Sequence, residues 1–534
     1  MNPHRRRFAL TIAAVLLVCL APIAPAPAAR SVNSLSRALI GAGVPADAAR
    51  MMSRSAPATS LVPQSATAIS DLDGDGVDEI AVVVCQCGTL GGQPFELEMR
   101  SGLTGSLLWS YESSASLAWV NALPAASPGG TSPGALLVTV TIQQQSAVTF
   151  LYDMTLAYLT ATGTEQWRRT INGVITIGLN AFPEVRILDG AGGPETDVAV
   201  IRRVSNLAPV ATVDIVEVLD GLTGRVEAIV AFPSADNPAA SPTAFAAVAD
   251  LSGDGRGDFV VATSGSEPRV SAHRASDGAR IWTLAPEDEF ASVVDAGDTS
   301  GDGRSDVLAT GPKGGSTQSI LLDGATGEVR WQRMGWPLPA TATDGTDDVI
   351  LQRTQIAGDT ASVHYERVSG TGVTVMARSY SVTAGSGDPA SWRTAFSRDA
   401  GDIDGDGIAD SAHQIQAGFP FQHTVVSGAT LDPIRSGRVV QPFSASLDGH
   451  GDDAVFASHQ LAEFRIQARD GLTDAIMWVS TTPAAEGTRR STVTPIRTAT
   501  GAAHVLAMLT EDGGPDAGGI IVFRGSDGAL LWSR

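Results

Sequence analysis

The residues best placed to do chemistry are carboxylates at alternate positions of a short glycine-containing stretch. Asp402, Asp404, Asp406 and Asp410 hold positions 1, 3, 5 and 9 of one such stretch, with Gly405 and Gly407 at positions 4 and 6. The pattern recurs as Asp71, Asp73, Asp75 and Glu79, as Asp250, Ser252, Asp254 and Asp258, and as Asp298, Ser300, Asp302 and Asp306. Alternation turns these oxygens to the inside of a curled loop, and glycine tolerates the positive φ that a tight curl requires. A hard cation such as Ca2+ takes six to eight oxygens at about 2.3–2.6 Å. Position 7 (Val77, Arg256, Arg304 or Ile408) can add its backbone carbonyl whatever its side chain. The expected chemistry is calcium binding, with the two serine-containing loops as weaker sites. Carboxylates this close repel one another without a cation, so binding and local folding are expected to be coupled and the metal's role to be mainly structural.

The elements that carry these loops repeat. Each unit opens with a short apolar strand and the acidic loop, followed by a strongly apolar strand such as Ile80–Val84 or Phe259–Ala262. A third strand alternates, as in Phe95–Arg100, which is the period of a half-buried strand. A tight turn and a fourth strand ending in tryptophan complete the unit. Asp323-Gly324-Ala325-Thr326-Gly327 leads to Trp331, and related turns lead to Trp109, Trp167, Trp282, Trp478 and Trp532. Asp220-Gly221-Leu222-Thr223-Gly224 keeps the turn without the tryptophan. Nine quasi-repeats result, near 66–112, 117–170, 181–230, 244–285, 291–333, 340–380, 396–437, 443–480 and 492–534. Asp189…Asp197, Asp344…Asp348 and Asp448…Asp453 read as shortened copies of the acidic loop, with His450 standing where a ligand belongs.

Four antiparallel strands repeating at this interval predict an all-β chain built as a β-propeller. About eight blades are expected, because propellers usually have four to eight and nine units strain that range. The tryptophans are expected to pack between neighbouring blades. The chain begins with a first strand and ends with a fourth, so closing the ring need not borrow a strand from the other terminus.

At these loops and turns the chain resembles the FG-GAP/VCBS repeat family, the calcium-loop propellers related to the integrin α-subunit head. The Asp-Gly-x-Thr-Gly-x-x-x-Trp turns also look like those of PQQ-type propeller repeats. The resemblance covers most of residues 66–534. It implies a secreted or surface propeller with calcium in the blade loops and a binding surface on one face of the ring. It departs from the family pattern at Glu79, Ser252 and Ser300.

Composition narrows the function. The formal net charge is −21. Residues 1–28 read as a signal peptide, with Arg5–Arg7 before the apolar Phe8–Leu20 and a small-x-small site at Ala26-Pro27-Ala28. Its removal leaves 33 of the 36 basic residues against 57 acidic ones, a net charge near −24. Nucleic acid and anionic membranes reward a basic face, so neither is an expected partner. Residues 29–65 read as a short helical segment and linker, and 66–534 as the propeller. Only Cys85 and Cys87 remain after cleavage, and they could form a strained bridge or stay as buried thiols.

No nucleophile elbow, zinc-protease helix or phosphate loop occurs in the sequence. Lys313 is the sole lysine. The scattered histidines read as surface or polar-core residues. Arg256-Gly257-Asp258 spells an adhesion tripeptide, but Asp258 is the ninth loop position. The expected function is a secreted, calcium-stabilised, non-catalytic module that binds or scaffolds an extracellular protein or glycan. The alternative is an enzyme on the same fold, a PQQ-type dehydrogenase or a calcium-dependent polysaccharide-acting enzyme. The dehydrogenase reading wants an adjacent cysteine pair by family resemblance, whereas Gln86 separates these two.

Overall fold

The computed structural model describes residues 62–533 apart from several connecting loops. The signal peptide and the helical segment expected before residue 62 lie outside the described residues, as do Cys87 and His450.

The described chain forms nine antiparallel sheets, each made of consecutive strands. Eight have four strands and one, spanning 454–483, has three. The sheets occupy 62–113, 119–176, 184–233, 242–284, 292–334, 336–383, 393–437, 454–483 and 488–533, called blades 1 to 9 below. They match the nine quasi-repeats one for one, so the ring has nine blades where about eight are expected.

The apolar second strands run between two neighbours, which explains their composition. In Glu79–Cys85, Ile80, Val82 and Val84 pack with Ile496, Leu506, Ile520 and Val522 of blade 9. Ala81 and Val83, on the opposite face, pack with Ala135, Leu137, Ala157 and Leu159 of blade 2. Successive residues of a strand face opposite ways, so a strand sandwiched between two blades needs an unbroken apolar run.

The tryptophans seal the junctions. Trp282 of blade 4 donates its indole N–H to the Gly324 carbonyl in the turn of blade 5 (2.7 Å). Trp109 reaches Ala161 (2.8 Å), Trp167 reaches Gly221 (2.7 Å) and Trp478 reaches Gly525 (2.5 Å), each in the next blade. Trp532 of blade 9 donates to Gly102 of blade 1 (3.1 Å), so the same contact closes the ring. Beneath each of these rings lies the last glycine of the turn. Gly327 has φ +72°, and a Cβ there would stand 2.6 Å from the Trp282 ring. That glycine is needed both for its conformation and for the close approach.

Blade 6 has no such tryptophan, and blade 7 is altered to suit. Leu431 takes the position that glycine holds in the turns of blades 1 to 6 and 9, at φ +58°. Its buried side chain fills the junction with Val363, Tyr365 and Tyr380. The Tyr380 hydroxyl donates to the Leu431 carbonyl (2.7 Å).

Candidate metal centre

Each acidic loop joins the first strand of a blade to its second, in blades 1, 4, 5 and 7. The loops share one backbone scaffold. The position-1 carboxylate accepts the amides of positions 4 and 6: Asp71 from Gly74 and Gly76 (2.7 and 2.9 Å), Asp250 from Gly253 and Gly255 (2.6 and 2.6 Å), Asp298 from Gly301 and Gly303 (2.6 and 2.7 Å). The position-5 carboxylate accepts the position-7 amide at 2.8 Å in Asp75 and at 2.9 Å in Asp406. The glycines at position 4 lie at φ +74° to +80°.

The side chains beyond this scaffold differ between loops. In blade 1, Asp71, Asp73, Asp75 and Glu79 converge, with one oxygen from each within 4.8 Å of the others. In blade 7, Asp402, Asp404 and Asp410 converge in the same way, without Asp406. Two oxygens on one Ca2+ ion can be at most about 4.8 Å apart, twice a typical bond, so both groups fit that cation. An all-oxygen donor set also suits a hard cation.

Glu79 is fully buried. Its Oε2 accepts the Leu72 amide, while Oε1 has no hydrogen-bond partner among the described residues. Burial, with Asp73, Asp71 and Asp75 close by, pushes its carboxyl up to about 7. Burial likewise pushes Asp410 up to about 7. A bound cation would favour the charged forms of both.

Among the described residues no equivalent cluster forms in blades 4 and 5. Ser252 and Ser300 turn back and donate to the position-1 carboxylates, Asp250 (3.2 Å) and Asp298 (3.1 Å). Asp254 accepts Ser276 (2.8 Å) and lies beside Arg274.

Position 9 has a role that spacing alone did not reveal. Its second oxygen reaches the hairpin turn of the same blade. Asp258 accepts Ala275 N–H (3.2 Å), Asp306 accepts Gly324 (2.9 Å) and Asp410 accepts Gly428 (2.8 Å). Its first oxygen is held by the loop itself, as in Leu251 N–H to Asp258 (2.8 Å). This aspartate therefore ties loop to turn with or without a metal. The sequence held a clue to this. Asp197 persists in blade 3 after the rest of the loop has gone, and it accepts Gly221 (3.4 Å).

Position 7 supplies more than a carbonyl. Arg256 reaches back to Asp197 (2.6 Å) and Glu227 (2.7 Å) of blade 3. Arg304 donates to the Leu251 carbonyl of blade 4 (3.0 Å). Val77 forms a bridge with Thr498 of blade 9. Ile408 is half-buried beside its loop. With Arg256 paired and Asp258 buried, the Arg256-Gly257-Asp258 tripeptide is taken up in packing.

These sheets and junctions define a nine-bladed β-propeller. No protein-family model and no curated protein matches the chain. Among solved structures it is similar to BamB from Moraxella catarrhalis, at 15% identity over 66% of this chain and 97% of that one, with a TM-score of 0.35. It is similar to the Dos1 propeller at 10% identity over 85% and 93%, with a TM-score of 0.35. It is also similar to the quinohemoprotein alcohol dehydrogenase ADHIIG from Pseudomonas putida HK5, at 11% identity over 78% and 68%, with a TM-score of 0.31. The propeller assignment rests on the sheets and junctions themselves.

Proposed function

We propose that this chain is an exported, calcium-stabilised propeller of the FG-GAP/VCBS type, a non-catalytic ring that binds or scaffolds an extracellular protein or glycan. The observation that carries the calcium reading is the first loop, where four carboxylates converge and one, Glu79, is buried with an unpartnered oxygen. Burying a charged oxygen without a partner is costly, and a cation at that point removes the cost. Asp71, Asp73, Asp75 and Glu79 would hold it, with the Val77 carbonyl available as a further ligand. Asp402, Asp404 and Asp410 form the second candidate, with Asp406 and the Ile408 carbonyl beside them. The sets at Asp250, Ser252, Asp254, Arg256 and Asp258 and at Asp298, Ser300, Asp302, Arg304 and Asp306 keep the spacing and are the weaker candidates.

The test is calcium titration of the purified protein by calorimetry, with melting followed with and without chelator. Binding, together with a melting temperature lowered by chelator, supports the reading, because a ligand that binds only the folded state stabilises it. No heat and no shift would leave the four loops as acidic turns.

A further inference from the structure

Eight of the nine junctions in a ring of this topology are crossed by the chain; the ninth, between blade 9 and blade 1, is not. Besides Trp532 and the apolar contacts of Ile80, Val82 and Val84, the first acidic loop crosses it. Asp78 N–H donates to the Arg497 carbonyl (2.9 Å) and Ala499 N–H to the Gly76 carbonyl (2.5 Å). Arg497 N–H donates to the Asp78 carboxylate (3.3 Å), and Val77 bridges to Thr498. Residues 76–78 therefore act as a short strand laid against blade 9. They lie between Asp75 and Glu79, two of the four carboxylates that converge in the same loop.

Resting on the calcium reading above, we propose that the first loop is a metal-dependent clasp. A divalent cation held by Asp71, Asp73, Asp75 and Glu79 fixes residues 76–78 in the shape that pairs with Arg497–Ala499, and so closes the ring at the junction the chain does not cross.

Two independent observations meet here. Glu79 is fully buried with Oε1 unpartnered, which points to a ligand in this loop. Apart from the Asp78 carboxylate, the seam contacts of the loop are backbone hydrogen bonds made by the residues between the ligands, so they depend chiefly on loop shape. The loops of blades 4 and 5 reach the preceding blade through long side chains, Arg256 and Arg304, which keep their contact over a range of loop shapes. Without the cation, four crowded carboxylates favour an opened loop. An opened loop loses its register with blade 9. Trp532 and the apolar contacts of Ile80, Val82 and Val84 then hold the seam without it.

Hydrogen–deuterium exchange of the full chain, with calcium chloride alone or with chelator, tests the clasp. With calcium, peptides covering 76–80 and 496–500 should exchange about tenfold more slowly than with chelator, since local opening is what exchange reports. Glu79→Gln should abolish that response, while Asp404→Ala, in the loop of blade 7, should leave it intact. If Glu79→Gln does not fold, Asp73→Asn, at an exposed position of the same loop, replaces it. Heat of calcium binding with unchanged seam exchange would overturn the clasp and spare the calcium reading. Absence of binding heat would overturn both.

Discussion

Gly327 and Gly301 show how one residue type serves two purposes. Both have positive φ, +72° and +77°, but a Cβ on Gly327 meets the Trp282 ring while one on Gly301 meets open space. Gly301→Ala should cost about 1–2 kcal/mol, the penalty of the left-handed conformation. Gly327→Ala should cost roughly 1–3 kcal/mol more, because it also overpacks the junction. Melting of the two variants measures the difference directly, and equal losses would show that the ring does not rest on the turn. His273 supplies a pH dependence. It is buried, stacked on Phe259 at 5.4 Å, and bonded to Ser271 (2.9 Å). Burial pulls its pKa below the usual histidine range, with Arg280 adding to the effect and the Gly278 carbonyl opposing it. The unfolded chain takes up a proton near pH 6.5 and the folded chain does so only lower. Its contribution is therefore complete above about pH 6.5 and is lost as pH falls toward the folded value. His273→Gln should flatten that part of the fall in melting temperature on acidification. Neither the Gly327 contact nor the His273 surroundings could be read from spacing, since each involves a neighbour distant in the chain.

At the scale of the element, the acidic loop combines three tasks. Position 1 folds it, position 9 ties it to the hairpin turn in blades 4, 5 and 7, and position 7 joins it to the preceding blade in blades 1, 4 and 5. Arg256 is the clearest case. Its partner Asp197 is buried, and removing one member of such a pair leaves an uncompensated charge. Arg256→Met should lower stability by about 3 kcal/mol, with Arg256 a quarter exposed and the value nearer the lower end of that range. In Arg256→Met/Asp197→Asn much of that loss should be recovered. Additive losses in the double variant would show that the two side chains do not act as a pair. The nine-residue spacing was enough to place the loops and their glycines. It was silent on Arg256, whose partners lie 59 and 29 residues earlier, and on Arg304, whose partner lies 53 residues earlier.

For the whole molecule, the ring closes between residues 430 positions apart, as Trp532 and Gly102, while the other tryptophan contacts span 42 to 54. Loop closure entropy rises only with the logarithm of length, so the final junction costs about 2 kcal/mol more than the others. A circular permutant that joins 533 to 62 and opens the chain between Leu284 and Ser292 moves the covalent break to blades 4 and 5. It should fold to the same ring, because each sheet is made of consecutive strands. Chelator should lower its melting temperature less than it does in the natural order. An equal chelator effect in both arrangements would mean that the seam is no weaker than the other junctions.

Short-range pattern carries the repeat units, the order of strands, the positions of the four acidic loops and the tryptophan-ending strands, because each arises within one unit of the repeat. What lies between units is a different matter. Ser252 and Ser300 count as ligands from their positions, but their hydrogen bonds to Asp250 and Asp298 are seen only in the structure. Leu431 stands where most turns have glycine, and its side chain packs against Val363, Tyr365 and Tyr380 of blade 6. The convergence of carboxylates on the first loop, the unpartnered oxygen of Glu79 and the union of that loop with blade 9 follow from the ring bringing distant units together. Sequence alone determined the unit and its repetition; tertiary structure decided which units differ, since the contacts that distinguish them are made with a neighbouring blade.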